Sequence, residues 1–185
     1  AAWCTYKYLN SGPGSLSGCF VHERHAYDKN LNRFTGWWSH NKETRFNMQH
    51  EFDVLPGAEG WQLSNPPILS MAAIKASLDV FAEAGMDNLV AKSKDLTAYF
   101  EFLLNELNND NIKIITPSNE NERGCQLSIQ VKNADRSLHQ KLTKAGVISD
   151  WREPDVIRCA PVPLYNSYED IYNMVERLKF ILNEK

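Results

Sequence analysis

The sequence predicts an α/β fold, on three observations. Residues 66–107 carry two successive amphipathic helical stripes, from Ile112 onward short alternating apolar stretches interleave with further helical stripes, and residues 1–65 have little helical periodicity. The front stretch is rich in aromatics, Gly, Asn and His, and the character changes at Ser64-Asn65-Pro66-Pro67. Two domains are therefore expected, 1–65 and 66–185.

Each element has a local cause. Gly12, Pro13, Gly14 and Gly18 make the backbone turn sharply. Cys19-Phe20-Val21 then reads as a short buried strand, and Leu31 to Asp53 as a loop, long enough to suggest a functional one. The Asn-Pro-Pro run is a helix-start signal, since proline fits a first turn where its missing N–H is not needed. Met71, Ile74, Leu78 and Phe81 repeat at helical spacing, Gly85 closes that helix and Asp87 caps the next. The second stripe is Leu96, Tyr99, Phe100, Leu103, Leu104 and Leu107. Lys113–Thr116 and Gln126–Val131 read as strands, the latter with Leu127, Ile129 and Val131 on one face. Asp135 to Ala145 reads as a helix closed by Gly146, and Val147–Ser149 and Val156–Ala160 as two more strands. Ser167 and Asp170 have the spacing of a capping box ahead of a last helix bearing Ile171, Met174, Val175, Leu178 and Leu182. Residues 110–185 thus form a small sheet covered by helices.

Composition excludes several classes. The 185 residues include 43% hydrophobic residues and carry a net charge of -3, with no basic block or acidic tail, so no nucleic acid is expected as a partner. No apolar run has the length of a membrane span, and no signal peptide is expected in the first residues. Cys4, Cys19, Cys125 and Cys159 lack CxxC spacing and are read as reduced thiols of a cytoplasmic protein. His22, Glu23 and His25 invite a metal reading, but with no HExxH and no cysteine pair none is expected. Gly-rich 11–18 lacks the Lys-Ser/Thr ending of a P-loop. His40 and His50 sit in the long loop, where either could approach a pocket.

One lysine stands out for its surroundings. Thr5-Tyr6-Lys7-Tyr8-Leu9-Asn10 places Lys7 among aromatic and small residues ahead of the Gly-rich turn. A partly desolvated amine there would be a better nucleophile toward an aldehyde. Taken alone, the spacing better suits a surface lysine lying along two tyrosines.

The run from Thr5 to Asn10 resembles the cofactor lysine segment of the kynureninases. Five further segments resemble that family in the same order: Gly36-Trp37-Trp38-Ser39-His40, Thr44-Arg45-Phe46, Ser64 to Leu69, Glu122 to Leu127, and Ile157 to Ser167. The resemblance implies the end of the large domain, and the small C-terminal α/β domain, of a pyridoxal-phosphate enzyme of fold type I. Residues 1–65 would be the remnant of the cofactor-binding large domain, and 66–185 linking helices plus the small domain. It implies that Lys7 carries pyridoxal phosphate as a Schiff base and moves protons. Tyr6 would hydrogen-bond the cofactor phosphate and pass a proton to the product carbanion, and Trp37 and Asn65 would sit at cofactor-binding positions. Arg158 would clamp the substrate α-carboxylate, a task that suits a planar fork. Ser64 and Asn65 would line the aryl ketone end. Without the resemblance, Trp37 reads as a packing aromatic, Asn65 as a helix cap, Ser64 as a turn residue and Arg158 as half of a structural ion pair. Arg123 has no assigned role.

The activity so implied is hydrolytic cleavage of the Cβ–Cγ bond of L-kynurenine or 3-hydroxykynurenine. The products are anthranilate or 3-hydroxyanthranilate and L-alanine, in tryptophan catabolism and NAD biosynthesis. The family likeness also implies a homodimer, with Trp37 or Asn65 serving the neighbouring subunit's cofactor. Only six residues precede Lys7, whereas the partners of the cofactor ring belong to the segment before that lysine. The chain is therefore expected to be the rear part of an enzyme, binding pyridoxal phosphate poorly alone. The competing readings are a dimerisation or interaction module without catalysis, and another fold-type-I enzyme. A cysteine desulfurase needs a mobile cysteine, whereas Cys125 and Cys159 sit on predicted strands.

Overall fold

The computed structural model describes residues 1–183, which fall into two compact units dividing between Phe81 and Ala82. That division lies inside a helix, some fifteen residues beyond the compositional change at Ser64.

In the first unit, β1 (Ala2–Cys4) pairs antiparallel with β2 (Ser17–Cys19), setting Trp3 opposite Gly18. The loop between them is pinned from inside. Thr5 is buried, its hydroxyl donates to the Leu16 carbonyl, and it accepts from the Ser11 hydroxyl at 3.0 Å. The Asn10 N–H closes a turn on the Lys7 carbonyl at 3.0 Å, with Asn10 in the left-handed region at φ 53°. The expected buried strand at 19–21 is not there. β2 ends at Cys19 and Phe20 is exposed, because a three-residue apolar run does not by itself specify burial. A short helix α1 (Glu23–Ala26), unforeseen in sequence, is capped by the His22 ring, which accepts from the Arg24 N–H at 3.2 Å.

The long polar segment is ordered by isolated contacts. His40 and Val54 form a single antiparallel bridge, flanked by Leu55 N–H to the Ser39 carbonyl at 2.8 Å and Asn41 N–H to the Asp53 carbonyl at 2.7 Å. A 3-10 turn spans Gly57–Trp61. The helix α2 (Ile68–Ala84) follows the prolines as predicted, but only Ile74 and Phe81 of its apolar stripe pack. Met71 and Leu78 are exposed. Instead Ser70 donates to the Gly14 carbonyl at 3.2 Å, Ser77 donates to the Leu9 carbonyl, and Phe81 is buried with its ring 5.9 Å from that of Tyr8. The serines face the first loop because its carbonyls need donors.

The second unit holds α3 (Met86–Glu106), β3 (Ile112–Ile114), β4 (Leu127–Val131), α4 (Arg136–Lys144), β5 (Asp150–Arg152), β6 (Val156–Cys159) and α5 (Tyr168–Asn183). Gly85, at φ 78°, sits between α2 and α3 and takes the cap position expected of Asp87, which lies inside the first turn. The sheet order is β3-β4-β6-β5, every pair antiparallel. Period-2 alternation places Leu127, Ile129, Val131, Trp151, Ile157 and Cys159 on one face. Leu96, Phe100 and Leu104 of α3, Leu138 and Leu142 of α4, and Met174, Val175 and Leu178 of α5 pack with them in one core. Each such side chain contributes about 1.5–3 kcal/mol by leaving water.

The strand expected at Val147–Ser149 is instead a helix closure. Gly146 stands at φ 84°, and the Val147 N–H reaches back to the Leu142 carbonyl at 2.9 Å. That is the six-to-one bond of a Schellman end. The strand begins three residues later, at Asp150.

Candidate functional site

Lys7 and Tyr6 stand together on the loop held by Thr5, Ser11 and Asn10. Both side chains are exposed. The Lys7 amine lies 5.5 Å from the centre of the Tyr6 ring and has no ion-pair partner among the described residues. The expected desolvation of Lys7 is therefore not present in this chain. Its carbonyl is spent on the turn, its side chain points outward, and Tyr8 is drawn away toward Phe81. The result is a free, reachable amine on a well-anchored loop.

A second group forms on the segments around residues 37 and 65. At Gly36 the backbones touch: an added Cβ would lie 1.9 Å from the Leu63 carbonyl oxygen. This approach sets Trp38 against Asn65, whose side-chain oxygen accepts from the indole N–H. The Arg45 guanidinium lies 5.3 Å from the Trp38 ring centre. The fully buried Ser39 hydroxyl donates to the Gly36 carbonyl at 3.0 Å and accepts the Gly36 N–H at 3.1 Å, holding the turn. Trp37 remains 52% exposed with its ring 5.4 Å from that of Phe46. It borders an open pocket of about 460 Å³ that also takes in His40, Arg45, His50 and Phe52. Asn65 is thus tied by Trp38, and Ser64 is exposed, its carbonyl accepting from the Gln62 amide at 3.1 Å.

Arg158 belongs to the second unit, on β6. Its Nη2 donates to Asp150 directly opposite on β5, and the same Asp150 oxygen lies 3.0 Å from Arg152 Nη2. Hydrogen bonding from Arg158 is the main reason the Asp150 carboxyl sits below the usual carboxylate range. The Arg158 Nε is buried and has no partner among the described residues. One end of the fork is engaged and the other is idle.

The remaining candidates find other uses. His22 caps α1, and the His25 ring accepts from Arg24 Nε at 2.9 Å. Among the described residues, no three His, Cys, Asp or Glu side chains converge as metal ligands would. All four cysteines are free thiols. Burial pushes the Cys125 thiol up and the Cys159 thiol up to about 12, the opposite of an activated nucleophile. Arg123 gains a role that sequence did not reveal: its Nη1 lies 2.5 Å from Glu101 of α3 and donates to the Pro117 carbonyl at 3.3 Å. Trp38 and Arg45 were likewise hidden, since only the Gly36–Leu63 approach shows why a small residue precedes two tryptophans.

Among the described residues no helix is long and apolar enough to cross a membrane. The family model described as the kynureninase C-terminal domain matches residues 89–178. Kynureninase of Flavobacterium psychrophilum is 56% identical over 97% of this chain, which covers 43% of that protein. Kynureninase of Myxococcus xanthus is 55% identical over 97% of the chain and 42% of its own length, and that of Koribacter versatilis 55% over 99% and 43%. The chain thus spans less than half the length of these relatives. Among solved structures, the cystine C-S lyase C-DES in complex with cysteine persulfide superposes with a TM-score of 0.64 at 17% identity, over 86% of this chain and 40% of that one. The cysteine desulfurase of Thermococcus onnurineus gives 0.64 at 12%, over 87% and 41%. These likenesses carry the fold, that of the C-terminal part of fold-type-I enzymes. With half its residues identical to each of several kynureninases along nearly its whole length, the chain belongs to the kynureninase family, whose C-terminal domain it carries.

Proposed function

We propose that the intact protein carrying this chain hydrolyses the Cβ–Cγ bond of L-kynurenine or its 3-hydroxy derivative, releasing L-alanine and the anthranilate. The observation that carries this reading is the Lys7 amine: exposed, without an ion pair among the described residues, and held on a pinned loop within the segment that resembles the family's cofactor lysine. An amine so presented fits covalent attachment of an aldehyde cofactor, which supports pyridoxal 5'-phosphate as the group it takes. When bound, that cofactor supplies the electron sink for breaking bonds at the substrate α-carbon.

Within this reading the chain's residues divide the work. Lys7 would hold the cofactor through Nζ, and the same nitrogen would carry the substrate α-proton. Tyr6, beside it and exposed, would hydrogen-bond the cofactor phosphate through its hydroxyl and would pass a proton to the product carbon. Trp37 and Asn65 bind the cofactor, in a dimer that of the neighbouring subunit. Ser64 and Asn65 line the aryl ketone end. The idle Nε edge of Arg158 offers a buried donor to the substrate α-carboxylate.

The test is borohydride reduction in the presence of pyridoxal phosphate, followed by peptide mass mapping. The pyridoxyl group is expected on Lys7 alone, and Lys7→Ala removes both the label and kynurenine turnover in the intact protein. Labelling spread over several lysines, or turnover surviving Lys7→Ala, overturns the reading. We also propose a cytoplasmic homodimer. The four free thiols and exposed aromatics such as Phe34 and Trp37 support it, and light scattering with cell fractionation tests it.

A further inference from the structure

We propose that Asp150 is an internal stand-in for the ligand carboxylate at Arg158, and that Arg152 keeps hold of Asp150 when a ligand displaces it. This rests on the reading of Arg158 as the carboxylate clamp. The register carries the argument. Asp150 faces Arg158 directly, and Arg152 lies two residues along β5, so all three stand on the sheet face opposite the core residues Trp151 and Ile157. Ser128 of β4 flanks Arg158 on its other side, with its hydroxyl accepting from Gln126 at 3.3 Å. The three charged side chains are partly open to water, at 31% for Arg158, 45% for Asp150 and 59% for Arg152, so a dissolved ligand can reach them.

A single oxygen, Asp150 Oδ2, serves both guanidiniums. Arg158 therefore has a carboxylate on Nη2 while its Nε stays unpartnered. A bidentate ligand needs two N–H groups of one fork. It must share or take Nη2, which brings a second carboxylate beside Asp150. Like charges so placed repel, and the repulsion falls if Asp150 leaves Arg158. Arg152 lies 3.0 Å from the same oxygen, so Asp150 can leave one cation without being stranded. His139, whose ring meets the Ser149 carbonyl at 3.1 Å, adds a further positive influence beside Asp150. The arrangement favours ligands whose carboxylate is strong enough to replace a resident one.

The experiment measures L-alanine affinity in the intact protein carrying this chain by calorimetry, together with the Arg158 Nε–H resonance by nitrogen-15 NMR. The variants are Asp150→Asn, Arg152→Gln, their double variant and Arg158→Gln. Asp150→Asn is expected to tighten L-alanine binding about tenfold, with no gain for L-alaninamide, which lacks the carboxylate. Arg152→Gln weakens binding when Asp150 is present and has no effect beside Asp150→Asn. A merely structural Arg152 would not show that coupling. In the wild type, L-alanine shifts the Arg158 Nε–H resonance. If Asp150→Asn leaves affinity unchanged or weaker, or Arg152→Gln acts equally in both backgrounds, the inference fails while the clamp stands. If Arg158→Gln leaves L-alanine affinity unchanged, or the wild type does not bind L-alanine, the clamp itself fails.

Discussion

Arg123 and Glu101 form a nearly enclosed ion pair, 2.5 Å apart, with the arginine side chain 3% and the glutamate 21% exposed. The pair fastens the turn after β3 onto α3, and the Arg123 Nη1 also donates to the Pro117 carbonyl. Removing one partner leaves a buried charge without compensation, which is the costly way to break such a pair. Arg123→Met should destabilise the second unit by about 3 kcal/mol. Glu101→Gln should cost more, because it strands the more deeply buried Arg123 charge, whereas the glutamate left by Arg123→Met is open enough for water to reach. Urea unfolding followed by circular dichroism measures both.

Ser167 and Asp170 cap one another at the start of α5. The Ser167 N–H donates to Asp170 Oδ2 at 2.8 Å, and the Asp170 N–H donates to Ser167 Oγ at 3.2 Å. Ser167→Ala should cost about 1 kcal/mol. The Ser167 N–H, with Asn166 and the Ser167 hydroxyl behind it, holds the Asp170 carboxyl below the usual range. A carboxyl depressed on folding adds stability above its unfolded pKa, near 3.9 for aspartate, and loses it as pH falls through the folded value. The advantage of wild type over Asp170→Asn should therefore be flat from about pH 8 to 5 and close below about pH 4. Urea midpoints across that range check it.

These two contacts also mark where sequence stops speaking. The capping box was legible because its partners lie three residues apart, and α3 because Leu96, Phe100 and Leu104 repeat at the helical period. Arg123 was not, since Glu101 lies 22 residues away. The Arg158–Asp150 pairing depends on a β5–β6 register, and β5 itself is Asp-Trp-Arg, too polar and short to show a period. Val147 looked like strand because a Schellman end needs an apolar residue just past its glycine, as a strand would. The motif around Lys7 singled the residue out as a candidate but did not show its exposure, which follows from a turn closed by Asn10 and from Tyr8 packing on Phe81.

Gly36 and Gly18 give a paired test of close approach. An alanine at 36 would meet the Leu63 backbone carbonyl, which cannot swing aside. Gly36→Ala should cost about 1–3 kcal/mol and expose the 55–65 segment to limited proteolysis by separating Trp38 from Asn65. At Gly18 the obstacle is the indole of Trp3, 2.4 Å from an added Cβ but on a largely exposed side chain that can rotate away. Gly18→Ala should cost under about 1 kcal/mol and leave the cleavage pattern unchanged. Equal sensitivity of the two variants would contradict the backbone contact.

The four thiols should react in the order of their surroundings. Cys19 is exposed on β2, Cys4 half-buried on β1, Cys125 half-buried with its thiol pushed up by burial, and Cys159 buried beneath the sheet with its thiol pushed up to about 12. Alkylation proceeds through the thiolate, so at pH 8 only on the order of one Cys159 thiol in ten thousand is reactive, even before access is counted. Iodoacetamide at that pH should modify Cys19 first and leave Cys159 untouched until urea unfolds the second unit. Peptide mass spectrometry at successive times follows each site. Prompt labelling of Cys159 in the folded chain would mean that β6 opens locally. In that case the Arg158 fork one residue away would not be held on a rigid strand, and the carboxylate clamp proposed there would lose its footing.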